Sequence, residues 1–266
     1  MTEKTKRPKA RIAAQSLTGC AGELLVILEN LDKLLPFVTV ANFPFAQSEN
    51  DEDPVDITFI EGTVSQPHDL EKLKKARANS RWLIAVGNCA TVGCVQHSCS
   101  CRKIEEMLHA VYGVSSGIEI LPAKPVDEYV KVDVKLSGCP INATQLLSVT
   151  ASVLQDHFPY ITHKPVCLEC KLKENPCVLI EDNLPCLGPV TAVGCGALCP
   201  SLGSACYGCW GPCQEPQVDA MATILQEKGF DLVEVASRLK SFGAPAKLFA
   251  RMDKQILESE VTDARV

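Results

Sequence analysis

The stretch ARIAAQSLTGCAGELLVILENLDKLL, residues 10–35, changes its hydrophobic period in the middle. Residues 10–17 (ARIAAQSL) form a short run of small and branched apolar residues and read as a strand. TGCAG is a Gly-containing turn, and in GELLVILENLDKLL the apolar residues recur at helical spacing until Pro36 ends the segment. Outward from there the same alternation repeats. FVTVANF (37–43), DITFIEG (56–62), RWLIAVGNCA (81–90) and VKVDVKLSG (130–138) read as strands. HDLEKLKKARANS (68–80), IEEMLHAVYG (104–113) and ATQLLSVTASVLQ (143–155) read as helices, and QSENDEDP (47–54) as an acidic loop. Strands alternating with helices predict an α/β doubly wound parallel sheet over residues 10–158.

After HFPYITHKP (157–165), a linker by composition, the character changes. Nine of the fifteen cysteines fall between Cys167 and Cys213, among Gly and Pro. This segment, 165–215, has few periodic apolar residues, so a module without its own core is expected, one whose folding energy comes from bound metal. A helical tail is expected over 217–260.

The whole chain has 266 residues, 46% of them hydrophobic and 22% charged, so it can bury a core. A net charge of −6 argues against a surface that neutralises nucleic-acid phosphates. No apolar run approaches the ~18 residues of a spanning helix, and the basic start, MTEKTKRPKARIAAQ, has no apolar core of an export signal. A disulfide scaffold suits small secreted chains, not a long one with an odd cysteine count. Two metal readings stay open, structural zinc and iron–sulfur clusters.

From Cys167 the spacing is C-x2-C-x6-C-x8-C-x8-C-x3-C-x6-C-x2-C, ending at Cys209, which is enough for two four-thiolate sites. A zinc ribbon repeats its C-x2-C pair after 15–20 residues. Here single cysteines in PCLGP, GCGALCP and GCWGP fill that interval, in loops that let backbone N–H groups approach a cluster, and this favours iron–sulfur ligation. Three further cysteines, Cys20, Cys89 and Cys139, each sit beside a glycine after a predicted strand. Ligands of such sheets gather at the carboxyl ends of the strands, so these three are expected to converge on another metal site.

The motifs GNCATVGC, SGCP, PVCLEC, PCLGPVTAVGCGALCP and ACYGCWGP together resemble the small, electron-transferring subunit of cytosolic [NiFe] hydrogenases, of the sulfhydrogenase delta and methyl-viologen-reducing gamma type. The N-terminal half is also similar to the 20-kDa subunit of NADH:quinone oxidoreductase. The resemblance implies a flavodoxin-like domain with a proximal cluster, a Cys-rich iron–sulfur module of little regular structure, and three [4Fe–4S] clusters in all. It places Cys167, Cys170, Cys177 and Cys186 on a distal cluster, and Cys195, Cys199, Cys206 and Cys209 on a medial one. It further implies an electron relay in the cytoplasm, between a hydrogenase-like large subunit that carries the NiFe centre and a flavin- or ferredoxin-like redox partner.

The proximal pattern departs from the family, which carries C-x-x-C at the first strand end. Only Cys20 is present there, so one thiolate is missing beside Cys20, Cys89 and Cys139. Cys94 is the natural substitute, since the resemblance extends to an extra cysteine that oxygen-tolerant hydrogenases place beside their proximal cluster. Glu23 is the alternative, a carboxylate one helical turn from Cys20. A large subunit that no longer handles hydrogen is a second reading of this departure. Cys99, Cys101 and Cys213 lie outside the pattern and read as free thiols, and the acidic loop as solvated. Trp210 and Tyr207 are expected to shield the medial cluster.

Overall fold

The computed structural model describes residues 8–98, 104–113, 119–231 and 242. Five parallel strands run β1 (Ala10–Ser16), β2 (Val38–Asn42), β3 (Val55–Glu61), β4 (Ser80–Val86) and β5 (Val134–Leu136). Their order is β2-β1-β3-β4-β5, the flavodoxin-like arrangement in which the chain reverses direction of winding after β1 and leaves a switch point beside it.

The central strands are apolar on both faces, as a covered parallel sheet requires. Alternate residues Ile57, Phe59, Ile84 and Val86 join Ile12 and Leu136 on one face. Helices α1 (Gly22–Glu29) and α7 (Ala143–Leu154) cover that face through Leu24, Ile27, Leu146 and Val149. Ile60, Leu83 and Ala85 point the other way, against Leu73 and Ala76 of α3 (Pro67–Ala78). The Asn142 carboxamide starts α7 by accepting the N–H groups of Thr144 (2.8 Å) and Gln145 (3.2 Å).

Several elements differ locally from the sequence expectation. The helix foreseen up to Pro36 breaks at Asn30, whose side chain donates back to the Val26 carbonyl, and resumes as the single turn α2 (Leu31–Leu34). The strand foreseen through Ala90 ends at Val86. Gly87, at φ +83°, begins the short helix α4 (Gly87–Val92), followed by α5 (Cys94–Ser98) and α6 (Ile104–Tyr112). No helix connects β2 to β3. A loop crosses instead, held by the Asn50 side chain on the Phe43 N–H (2.7 Å) and by Asp51 on Arg11 (2.5 Å).

The cysteine-rich segment carries the short helices α8 (Cys167–Leu172) and α9 (Leu198–Ser201) and is otherwise irregular. Contrary to the expectation of a coreless module, it has a small apolar cluster. Val166, Val178, Leu179, Leu187 and Val190 pack with Val218, Met221 and Leu225 of α10 (Val218–Glu227). These residues come from loops, which is why no period announces them. The rest of the tail foreseen to residue 260 lies outside the described residues, save Phe242, as do Cys99 and Cys101.

Phe59 is fully buried at the centre of the first face. Phe59→Ala is expected to lower unfolding stability by about 3–5 kcal/mol, while Thr39→Ala, on an exposed position of the edge strand β2, should change it by less than about 0.5 kcal/mol; denaturant titration of both variants checks this.

Candidate metal centres

At the carboxyl ends of the strands, four cysteines come from three connections. Cys20 lies in the turn after β1, Cys89 in the first turn of α4 and Cys94 two residues beyond α4. Cys139 follows β5. Left-handed backbone at Gly93 (φ 87°) and Cys94 (φ 46°) turns the chain so that the Cys94 thiol faces back and hydrogen-bonds with Cys89 and Cys139. Those bonds push the Cys94 thiol up, with burial adding to them. The hydrogen bond from Cys94 brings Cys139 down to about 7. Cys20 is exposed and takes the Gly22 N–H at 3.4 Å, which lowers it, but burial and the neighbouring Glu23, Glu61 and Cys89 raise it overall.

Two buried carboxyl groups complete this group. The Cys20 sulfur and one oxygen each of Glu23 and Glu61 lie within 4.8 Å of one another. Glu61, at the end of β3, accepts the Ser16 hydroxyl (2.8 Å) and the Ala21 N–H (3.0 Å), so it holds the Cys20 turn in shape. Glu23 sits in the first turn of α1 and is 2% exposed. Burial pushes its carboxyl up to about 8, with Glu61 and Cys139 adding to the effect. Gly87 leaves the room for it, since a Cβ there would stand 2.4 Å from the Glu23 carboxyl carbon.

A second group belongs to the first half of the module. Cys167 and Cys170 lie three apart on α8 and share a face. Burial pushes Cys167 up to about 11, and Cys186, Cys170 and Cys177 surround it. The Cys206 N–H donates to the Cys186 sulfur at 3.3 Å. A third group lies between these two. Burial raises Cys209 to about 12, with Cys195, Cys199 and Cys139 as its charged neighbours. Burial raises Cys206 to about 12 as well, and Cys206 neighbours both Cys186 and Cys209. Hydrogen bonds tie neighbouring groups together: the Cys206 N–H reaches the Cys186 sulfur, and Asn88 joins the Gly138 N–H before Cys139 to the Cys209 carbonyl.

Polar ties hold the groups in register. Asn88 is fully buried; its Oδ1 accepts the Gly138 N–H at 3.0 Å and its Nδ2 donates to the carbonyls of Cys209 (2.8 Å) and Phe242 (3.1 Å). One side chain thus joins the Cys89 helix, the Cys139 turn and the Cys209 loop. On α8, Glu169 accepts the N–H groups of Gly194 (3.0 Å) and Ala197 (3.1 Å), and Lys173 donates to the Gly196 carbonyl (2.5 Å). The helix carrying Cys167 and Cys170 therefore clamps the loop carrying Cys195. Trp210 is 8% exposed and packs with Ala192, Cys195, Cys209 and Cys213, whereas Tyr207 is 45% exposed and shields little. Cys213 is buried, with its thiol directed at the Pro189 carbonyl (3.7 Å). Asn88, Glu61 and Glu169 are absent from the sequence expectation, and the signal available was a polar residue at a strand end or between two ligand cysteines.

The donor sets suit iron–sulfur clusters. Sulfurs accept backbone N–H groups at Cys20 and Cys186, and Cys89, Cys94, Cys186 and Cys206 are buried.

The family described as NADH ubiquinone oxidoreductase, 20 Kd subunit, matches residues 18–153. Sulfhydrogenase 2 subunit delta of Pyrococcus furiosus is 42% identical over 225 residues, covering 84% of this chain and 94% of that one. The fold is similar to a chain of an NAD+-reducing [NiFe]-hydrogenase in the H2-reduced state, with a TM-score of 0.52 and 28% identity over 59% of this chain and 97% of the other. It is also similar to a chain of the actinobacterial-type NiFe-hydrogenase from Ralstonia eutropha H16, with a TM-score of 0.56 over 94% and 91% of the two chains; at 16% identity this likeness concerns the fold alone.

Asn88→Ala strands the Gly138 N–H and the Cys209 carbonyl together. A loss of about 2–4 kcal/mol in unfolding stability is expected, measured by thermal or denaturant unfolding of the anaerobically purified protein.

Proposed function

The chain belongs to the NADH ubiquinone oxidoreductase 20 Kd subunit family, and from that premise we propose that it is the electron-relay subunit of a hydrogenase-like oxidoreductase complex. One observation carries the reading: hydrogen bonds tie the three groups of cysteines one to the next, Asn88 joining the Cys139 and Cys209 loops and the Cys206 N–H reaching the Cys186 sulfur. A row of redox centres conducts electrons, whereas isolated structural metals need no such order. Cys167, Cys170, Cys177 and Cys186 would hold a distal [4Fe–4S] cluster. Cys195, Cys199, Cys206 and Cys209 would hold a medial one, and Cys20, Cys89 and Cys139 a proximal one, with Cys94 and Glu23 both within reach of its fourth position.

Clusters bound there supply one-electron oxidation and reduction. The chain's own residues set the conditions. Asn88 fixes the proximal and medial groups at a constant separation. Glu169 and Lys173 do the same for the medial and distal loops. Trp210 keeps water from the medial sulfurs, and a drier site favours the less charged oxidation state. The exposed Cys20 marks the face for a catalytic large subunit bearing the NiFe centre, and the exposed Cys177 marks the opposite end of the row for a flavin- or ferredoxin-like partner. No helix among the described residues is long and apolar enough to cross a membrane. A cytoplasmic setting, where thiols stay reduced, belongs to the same proposal.

A second reading rests on the missing first-strand cysteine: a complex of the same descent whose large subunit no longer handles hydrogen. A neighbouring large-subunit sequence with or without its two C-x-x-C nickel-binding pairs separates the two.

Anaerobic purification followed by metal analysis tests the relay. About twelve iron atoms and twelve acid-labile sulfides per chain are expected. Zinc without sulfide would overturn it in favour of a non-redox scaffold.

A further inference from the structure

We propose that Glu23, rather than Cys94, supplies the fourth ligand of the strand-end centre, as an oxygen donor beside the thiolates of Cys20, Cys89 and Cys139. The proposal rests on the reading of that centre as an iron–sulfur site.

Glu23 is three residues after Cys20, so C-x-x-E stands at the first strand end, and the Cys20 sulfur and a Glu23 oxygen lie within 4.8 Å of each other. The carboxylate is 2% exposed, and its Oε2 is buried with no hydrogen-bond partner. A buried, unpartnered carboxyl oxygen is costly and calls for a ligand. It points into a group of metal-binding atoms, with the Cys20 sulfur and a Glu61 oxygen inside 4.8 Å and Cys139 nearby.

The surroundings are built to keep it there. Gly87 withholds the Cβ that would collide with the carboxyl carbon at 2.4 Å. Glu61 accepts the Ser16 hydroxyl and the Ala21 N–H and hydrogen-bonds with the Glu23 carboxyl, so it supports both the Cys20 turn and the Glu23 side chain.

Cys94 is placed otherwise. Its thiol hydrogen-bonds with both Cys89 and Cys139, so it lies against two ligands instead of apart from them. Its role here is to donate a hydrogen bond to Cys139.

Ligation needs no redox step. The Glu23 carboxyl releases its proton to solvent and an oxygen lone pair binds iron, as each thiol does through sulfur. A carboxylate is a harder donor than a thiolate, so the iron it holds is the one most easily lost.

The test uses the full chain with whatever subunits copurify, handled anaerobically, and reads iron content, Mössbauer spectra and EPR. In the unsubstituted protein, one iron of the strand-end centre should show the isomer shift of mixed oxygen and sulfur ligation. Glu23→Gln is expected to lose about one iron per chain and to show a three-iron EPR signal. Glu23→Cys should regain the fourth iron with all-sulfur parameters. Cys94→Ser should keep the iron content and the four-iron spectrum. An unchanged spectrum in Glu23→Gln, or loss of iron in Cys94→Ser, would overturn the proposal. Should Glu23→Gln lose the whole centre, a Glu23→Cys variant that restores four irons supports it and one that does not refutes it. About eight irons in the unsubstituted protein would instead refute the reading of the strand-end group as a cluster, and Glu23 ligation with it.

Discussion

A thiol must lose its proton before it can bind metal, and burial makes that loss harder. Cys167, Cys206 and Cys209 are all pushed well above the ordinary thiol range by burial, and each has other cysteines as neighbours. Little nearby positive charge offsets this. Lys171 eases Cys167 slightly, and Lys173 is occupied with the Gly196 carbonyl. The grouping of thiols is therefore tolerable only as a set of neutral groups or as thiolates around cations. Metal bound there would favour the deprotonated, folded form and so add to the stability that the small apolar cluster gives these irregular loops.

Much of this was legible in the amino-acid order, for reasons that can be named. The alternation in Ile57-Thr58-Phe59-Ile60 and its neighbours marks a strand buried on both faces, and β3 lies there. The convergence of Cys20, Cys89 and Cys139 was expected from the rule for strand ends in wound sheets, and the three lie in the connections that follow β1, β4 and β5. The break at Asn30 was hidden because it depends on a side-chain bond to Val26 that costs the pattern nothing. The helix at Gly87 was hidden because one positive φ ended a strand whose apolar run continues. Apolar residues of the module escaped periodicity because loops bring them together from 166 to 225. Glu61 and Asn88 were missed because their work is to pair with backbone groups distant in sequence, which no local pattern records.

These polar residues share a logic. Each forms hydrogen bonds with the backbone of a cysteine-bearing loop. Backbone bonds constrain a loop more tightly than a contact at a side-chain tip, since the ligand follows its own main chain. Glu61 steadies the Cys20 turn, Asn88 the Cys139 and Cys209 loops, and Glu169 the Cys195 loop. Electron transfer falls off steeply with distance, so fixing these loops relative to one another matters more than the strength of any single bond.

The winding of the sheet also bears on the order in which the protein is made. Cys167 and Cys186 close only about 20 residues of chain, whereas Cys20 and Cys139 close about 120. By loop-closure entropy alone the longer closure costs about 1.6 kcal/mol more, and it further requires strands from four segments already paired. The Cys167–Cys186 group thus closes over a short length of chain, while the strand-end group is brought together only once the sheet has formed. An assembly factor that delivers metal to the strand-end site would in effect be inspecting a finished fold.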